Sequence, residues 1–237
     1  MTQGRARLYL LDVEGTVAPV SFVYEQLFPY AREHFAAFLE EHNLDSSVVA
    51  DLALLAAENR ADPEAPRIVD GCHSNQTITY LNWLMDRDRK STALKSLQGR
   101  IWKRGFESGE LKGILFADVP AALNRWAECA QIAIYSSGSV DAQRLLFRYS
   151  IFGDLTGRIA AYFDTRTGPK AASASYSAIA AAMKLHPSQV LFFSDVLREL
   201  DPAREAGFET RLVVREGNAP VTDPRGHIAI QSFDGTP

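Results

Sequence analysis

The sequence predicts an α/β protein built on a doubly wound parallel sheet, with an all-helical unit inserted after the first strand. Three observations carry this reading. Short apolar runs recur at "RLYLLD" (7–12), "QIAIYSS" (131–137), "QVLFFSD" (189–195) and "TRLVVR" (210–215), each ending in polar or small residues. Runs without polar alternation read as strands buried on both faces, the mark of a parallel sheet. Helical patterns lie between them, in "SVDAQRLLFRYS", "ASASYSAIAAAMKLH" and "LRELDPAREAG", and such alternation is the signature of the doubly wound class. Finally, the stretch 20–116 almost lacks strand-like runs.

The elements follow in order. The first strand leads into "DVEGT", where Asp12 and Glu14 stand two residues apart before a Gly. Strand alternation would aim both carboxylates at one face, where like charges repel and need compensation. The insertion then opens with "FPYAREHFAAFLEEHN", placing Phe28, Phe35, Phe38 and Leu39 at helix-face spacings. "VVADLALLAAEN", "NQTITYLNWLMDRD" and "KSTALKSLQGRIWKRGF" read as further helices, with Asn75 as a cap and "ADPEAPR" (61–67) as an exposed loop. Leu94, Leu97 and Ile101 form a stripe for core packing, and Lys90, Lys95, Arg100, Lys103 and Arg104 a solvated face. The chain returns to the sheet near "KGILFADVPAAL". The expected domains are therefore 1–19 with 117–237 as the core, and 20–116 as a helical cap leaving the sheet beside Asp12.

Composition narrows the function. A formal net charge of −4 over 237 residues, with no strongly basic segment, argues against nucleic-acid binding. No apolar stretch reaches the length of a membrane span. The two cysteines, Cys72 and Cys129, form no CxxC pair and read as buried thiols, which fits a cytoplasmic protein. His73 has no partner at metal-ligand spacing.

Chemistry concentrates where the strands end. Open α/β sheets bind ligands outside the carboxyl ends of their strands, and there stand Asp12, Ser136, Ser137 and Asp195. A carboxylate can attack a phosphate ester to form an acyl-phosphate, with Mg²⁺ neutralising the two anions. Mg²⁺ needs only one or two protein carboxylates. On this reading Asp12 is the nucleophile and a metal ligand, and Asp195 is a second ligand. Ser136, Ser137 and Gly138 donate to phosphate oxygens, and Lys170 in "TGPKAAS" is a point charge on the phosphoryl group. Glu14 is the general acid for the leaving oxygen. Glu199 could orient the metal's waters, but read alone it is a helix-surface residue. A phospho-acceptor receiver also joins Asp, Ser and Lys around Mg²⁺, but it has no large insertion and its acceptor does not follow the first strand.

This order of motifs resembles the haloacid dehalogenase (HAD) superfamily, with its Rossmann-like core. "DVEGT", "SFVYEQLFPYAREH", "YLNWLMDRDRKSTALKSLQGRIWKRGFESGELKG", "YSSGSV" and "FFSDVLRELDPAREAG" are similar, more narrowly, to the enolase-phosphatase (acireductone synthase) family of methionine salvage. The resemblance runs from about residue 8 to residue 233. It implies a Mg²⁺-dependent enzyme, with one ion per subunit, acting on a phosphorylated diketone. The substrate, 2,3-diketo-5-methylthiopentyl-1-phosphate, is enolised and then dephosphorylated to the acireductone. The matching positions imply a metal site of Asp12, Glu14 (through its main-chain oxygen) and Asp195, with Ser136, Ser137 and Lys170 holding substrate. A monomer is expected. A small-molecule phosphatase of the same superfamily without the enolase step is the alternative.

Overall fold

The computed structural model describes residues 6–68 and 75–236, so Cys72 and His73 lie outside the described residues. In chain order the elements are β1 (Leu8–Leu11), α1 (Val20–Phe22), a π-helical turn (Val23–Leu27), α2 (Phe28–Glu41), α3 (Ser46–Ala61), α4 (Asn75–Asp86) and α5 (Thr92–Ser108). Then follow α6 (Val119–Ala127), β2 (Gln131–Tyr135), α7 (Val140–Arg148), β3 (Ala161–Phe163), α8 (Ser173–Ala182), β4 (Val190–Ser194), α9 (Leu197–Glu205), β5 (Glu209–Val213) and β6 (Ile228–Ile230). The chain divides into two compact units, Met1–Val23 with Lys112–Pro237, and Tyr24–Leu111.

The first unit is a six-stranded parallel sheet in the order β3-β2-β1-β4-β5-β6. The chain winds outward from β1 through β2 to β3, then returns to the other side of β1 with β4. The winding therefore reverses between β1 and β4, the switch point at which open sheets form a ligand crevice. Leu11 pairs with Ile134 on one side and Phe193 on the other, so Asp12, Ser136 and Asp195 follow the ends of three adjacent strands.

Strand alternation gives each face its own core. Leu8 and Leu10 join Ala133, Tyr135, Tyr176, Ile179, Phe192 and Leu200 on one side. On the other, Tyr9 stacks on Trp126 at 4.7 Å between centroids, and Trp126 meets Phe193 and Phe233 at 5.3 and 5.2 Å. Every residue of β1 is fully buried, which is why that strand reads as unbroken apolar sequence. β3 and β6 escape that reading: each has three residues and none of them is fully buried.

The second unit has its own core, in which Phe35, Leu39, Leu52, Leu55, Tyr80, Leu81 and Leu97 are buried. Leu94, Leu97 and Ile101 face inward as expected and Lys90, Lys95, Lys103 and Arg104 are exposed, but Arg100, expected on the solvated face, is half-buried and pairs with Asp51 at 3.1 Å. Ser91 caps α5 by accepting from the Leu94 N–H at 2.9 Å. Asn75 lies within α4, and its carbonyl accepts from Thr79 Oγ1 at 2.9 Å. In the 61–67 loop Ala61, Pro63, Glu64 and Arg67 are exposed as expected, but the loop is also tied down. Ala65 is buried, and the Asn59 side chain donates to Pro66 O at 2.8 Å and accepts from Ile68 N at 3.2 Å. Cys129 is half-buried rather than buried.

Candidate active site

The site grows from the end of β1. Asp12 N–H still donates to Phe193 O at 2.9 Å, in the manner of the sheet, but beyond it the chain turns. The N–H groups of Thr16, Val17 and Ala18 all donate to Val13 O. That turn corrects the expectation that Asp12 and Glu14 alternate along one strand: β1 ends at Leu11, and Glu14 sits half-buried in a bridge with Ala18.

Compensation for the Asp12 charge comes from a residue far away in sequence. Lys170 Nζ donates to Asp12 Oδ1, and its second partner is Glu199 Oε2 at 2.5 Å. The three side chains are only 9% (Lys170), 6% (Asp12) and 12% (Glu199) exposed. Burial by itself would lower the Lys170 pKa, yet the Asp12 and Glu199 carboxylates hold it raised, so the lysine is an ammonium in this site. Glu199 is pushed up by burial and by the Asp12 charge, with Lys170 opposing. It also accepts from Ser194 Oγ at 3.0 Å. Its reading as a helix-surface residue is therefore corrected: Glu199 lies in the first turn of α9 and faces the lysine.

Asp195 completes the cluster. Burial and then the Asp12 charge push its carboxyl up to about 7. Its N–H donates to Thr16 Oγ1 at 3.1 Å, while its Oδ1 is buried with no hydrogen-bond partner among the described residues. Asp12, Asp195 and Glu199 set three carboxylates against one ammonium. A buried acceptor without a donor and an excess of negative charge are both what a hard divalent cation would relieve. Asp12 and Asp195, which follow the ends of the adjacent strands β1 and β4, could offer side-chain oxygens to such an ion; among the described residues no three His, Cys, Asp or Glu side chains form a metal-holding group.

The turn is held by residues that follow the end of β5. Asn218 Nδ2 donates to Gly15 O at 2.9 Å and Arg215 Nε to Thr16 O at 3.3 Å, while Arg215 pairs with Asp118 at 2.9 Å. Gly15 has φ +72°, and a Cβ there would lie 2.3 Å from Asp195 Oδ2. Gly217 has φ +86° but open space around it, so the pair separates backbone strain from the clash. Gly15→Ala should lower turnover about a hundredfold and Gly217→Ala should leave it within about twofold, each losing roughly 1–2 kcal/mol of stability from the positive φ. Equal kinetics for the two variants would show that the close approach to Asp195 is irrelevant.

The serines sit after β2. Ser136 is buried, its N–H donating to Phe163 O at 3.2 Å and its Oγ accepting from Gly138 N at 3.1 Å. Ser137 is exposed. The residue that caps α7 is Ser139, accepting from Ala142 N at 3.2 Å. Sequence reasoning gave no role to Thr16 or Asn218, which act through backbone groups that leave no pattern in the sequence. For Glu199 a signal existed, an acid one helical turn after Asp195.

Comparison with known proteins adds an independent line. Residues 6–207 match the family described as haloacid dehalogenase-like hydrolase. Over 228 residues, 95% of each chain, the sequence is 54% identical to a protein named enolase-phosphatase E1 from Synechococcus elongatus. A protein of the same name from Leptospira borgpetersenii is 45% identical over 96% of each chain. The crystal structure of the UTR4 protein of Saccharomyces cerevisiae superposes with a TM-score of 0.81 at 36% identity, covering 98% of this chain and all of that one.

Proposed function

Because the chain belongs to the enolase-phosphatase E1 family of haloacid dehalogenase-like hydrolases, we propose that it converts 2,3-diketo-5-methylthiopentyl-1-phosphate to 1,2-dihydroxy-3-keto-5-methylthiopentene and phosphate, in methionine salvage. The observation that carries the phosphatase half is the buried Asp12–Lys170–Glu199 chain beside Asp195 at the sheet's switch point.

The residues divide the work as follows. The Asp12 carboxylate attacks phosphorus as the bond from phosphorus to the substrate's ester oxygen breaks. Glu14 gives its proton to that leaving oxygen, then takes one from the water that attacks phosphorus and frees Asp12 and phosphate. Lys170 fixes the Asp12 oxygen that does not attack and offsets charge on the phosphoryl group. Ser136 and Ser137, at the end of β2, hold phosphate oxygens. Mg²⁺ fits the donor set of Asp12 and Asp195, with Glu14 adding its main-chain oxygen, and when bound it supplies neutralisation of carboxylate and phosphate charge.

The test is incubation with the diketo phosphate and Mg²⁺, following enol absorbance and released phosphate separately. Both signals are expected, the enol first. Phosphate without an enol would reduce the protein to an ordinary phosphatase. Dialysis against EDTA should silence both halves, and Ca²⁺ should not restore them, because its looser, higher coordination misplaces in-line attack. Full activity after EDTA would remove the metal from the proposal.

A further inference from the structure

We propose that Tyr135, Ser175 and Tyr176 are positioning residues that aim Lys170 at Asp12 and Glu199. Lys170 sits in the turn before α8, and three successive carbonyls of that turn each accept a side-chain hydroxyl. Tyr135 Oη donates to Gly168 O at 2.9 Å, Ser175 Oγ to Pro169 O at 2.8 Å and Tyr176 Oη to Lys170 O at 2.7 Å. The hydroxyls come from rigid places. Tyr135 ends β2, Ser175 and Tyr176 lie in the first turn of α8, and all three residues are buried.

The tyrosine rings are also fixed against their surroundings. Tyr135 and Tyr176 meet edge to face at 5.6 Å, and Tyr176 packs on Phe192 and Phe208 at 5.3 and 5.7 Å. The Tyr135 ring centre lies 5.7 Å from Lys170 Nζ, so one residue holds the backbone of this turn and lines the path of the ammonium. Gly168 fits the same design. Its φ is +145°, and a Cβ there would come within 2.3 Å of Ser175 Oγ.

A lysine on a mobile turn would lose much of its rotamer freedom each time it paired with Asp12. Three hydroxyl anchors on consecutive carbonyls place its Cα beforehand, which is the preorganisation that electrostatic catalysis requires. One hydroxyl would satisfy one carbonyl, and such bonds are common. Three in sequence, drawn from a strand and a helix, hold a turn in position.

The catalytic consequence rests on the phosphatase reading above, whereas the effect on the lysine does not. The test therefore has two arms, applied to Tyr176→Phe, Tyr135→Phe, Ser175→Ala and the triple variant. In the first, folded protein is treated with limiting acetylating reagent, and labelling of Lys170 is measured by peptide mass spectrometry against exposed Lys184. Labelling of Lys170 relative to Lys184 should rise about tenfold in the triple variant, as the turn opens locally. Smaller rises should accompany the single changes. In the second arm, p-nitrophenyl phosphate hydrolysis by Tyr176→Phe should lose about tenfold in kcat with KM nearly unchanged.

Unchanged Lys170 labelling in folded variants, whatever their melting temperatures, would overturn the proposal and leave the hydroxyls purely structural. If the triple variant fails to fold, Tyr176→Phe decides by the same ratio. If the wild type hydrolyses no phosphate ester, the phosphatase reading fails while the labelling arm still judges the positioning role.

Discussion

Replacing Asp12 by Asn should cut phosphate release by at least about a thousandfold while the fold survives. Asn matches Asp in size, and Asp12 N–H keeps its sheet bond to Phe193 O whatever the side chain is. What disappears is the anion. The amide can neither attack phosphorus nor balance Lys170, whose ammonium then has Glu199 alone. The structural cost should stay small, because removing Asp12's charge also relieves the neighbours that it pushes up, Asp195 and Glu199. Circular dichroism and thermal melting should therefore resemble the wild type. A folded variant that retains appreciable turnover would rule out Asp12 as the nucleophile.

Lys170→Ala should be costly in a different way, losing both turnover and stability. A surface lysine would change neither by much, since exposed substitutions usually stay within about 0.5 kcal/mol. Lys170 is nothing of the kind: its side chain is 9% exposed and bridges two carboxylates. Removing one partner of a buried ion pair costs about 3–5 kcal/mol, because the remaining charges stay buried without compensation. The loss has a pH signature. Glu199 already has its pKa raised by burial and by Asp12, and Lys170 is what opposes the rise. Without the lysine the folded-state pKa climbs further above the unfolded value. The fold then prefers the protonated acid, and the penalty develops as pH rises above the ordinary glutamate range. The stability gap from wild type should thus be smaller near about pH 5 than near about pH 8. Denaturant melts at the two values would measure it, and a pH-independent gap would mean that Glu199 is not the group left uncompensated.

The molecule shows what a sequence can and cannot display. β1, β2 and β4 were legible because central parallel strands bury both faces and so become nearly unbroken apolar runs, whereas β5, with Glu209 and Arg211 half-buried, showed itself only through its apolar end at Leu212 and Val213. β3 and β6 were not legible, since three partly exposed residues form no pattern. Asp12 and Asp195 stood out as acids ending such runs. Their neighbour Lys170, by contrast, is 158 residues from Asp12, and no local spacing could join them. The apparent puzzle of adjacent acids at residues 12 and 14 dissolved in the same way. The turn after Asp12 breaks the alternation, and the compensating charge arrives from Lys170, remote in sequence. Glu199 was obscured by its setting in the hydrophilic "LRELDPARE", where an acid on α9 looks like any solvated residue. Its burial comes from facing Lys170, a tertiary fact. The hydroxyls of Tyr135, Ser175 and Tyr176 were hidden for a related reason, since their partners are carbonyls, which every residue has.

The most direct measurement of the central claim is to trap the phosphorylated enzyme. Excess protein, mixed with the diketo phosphate and Mg²⁺, would be quenched within one turnover and treated with borohydride, which reduces an acyl-phosphate to an alcohol. Peptide mass spectrometry should then find homoserine at position 12, and none there in the Asp12→Asn variant. Phosphate release with Asp12 left unreduced, or homoserine at another aspartate such as Asp195, would contradict it.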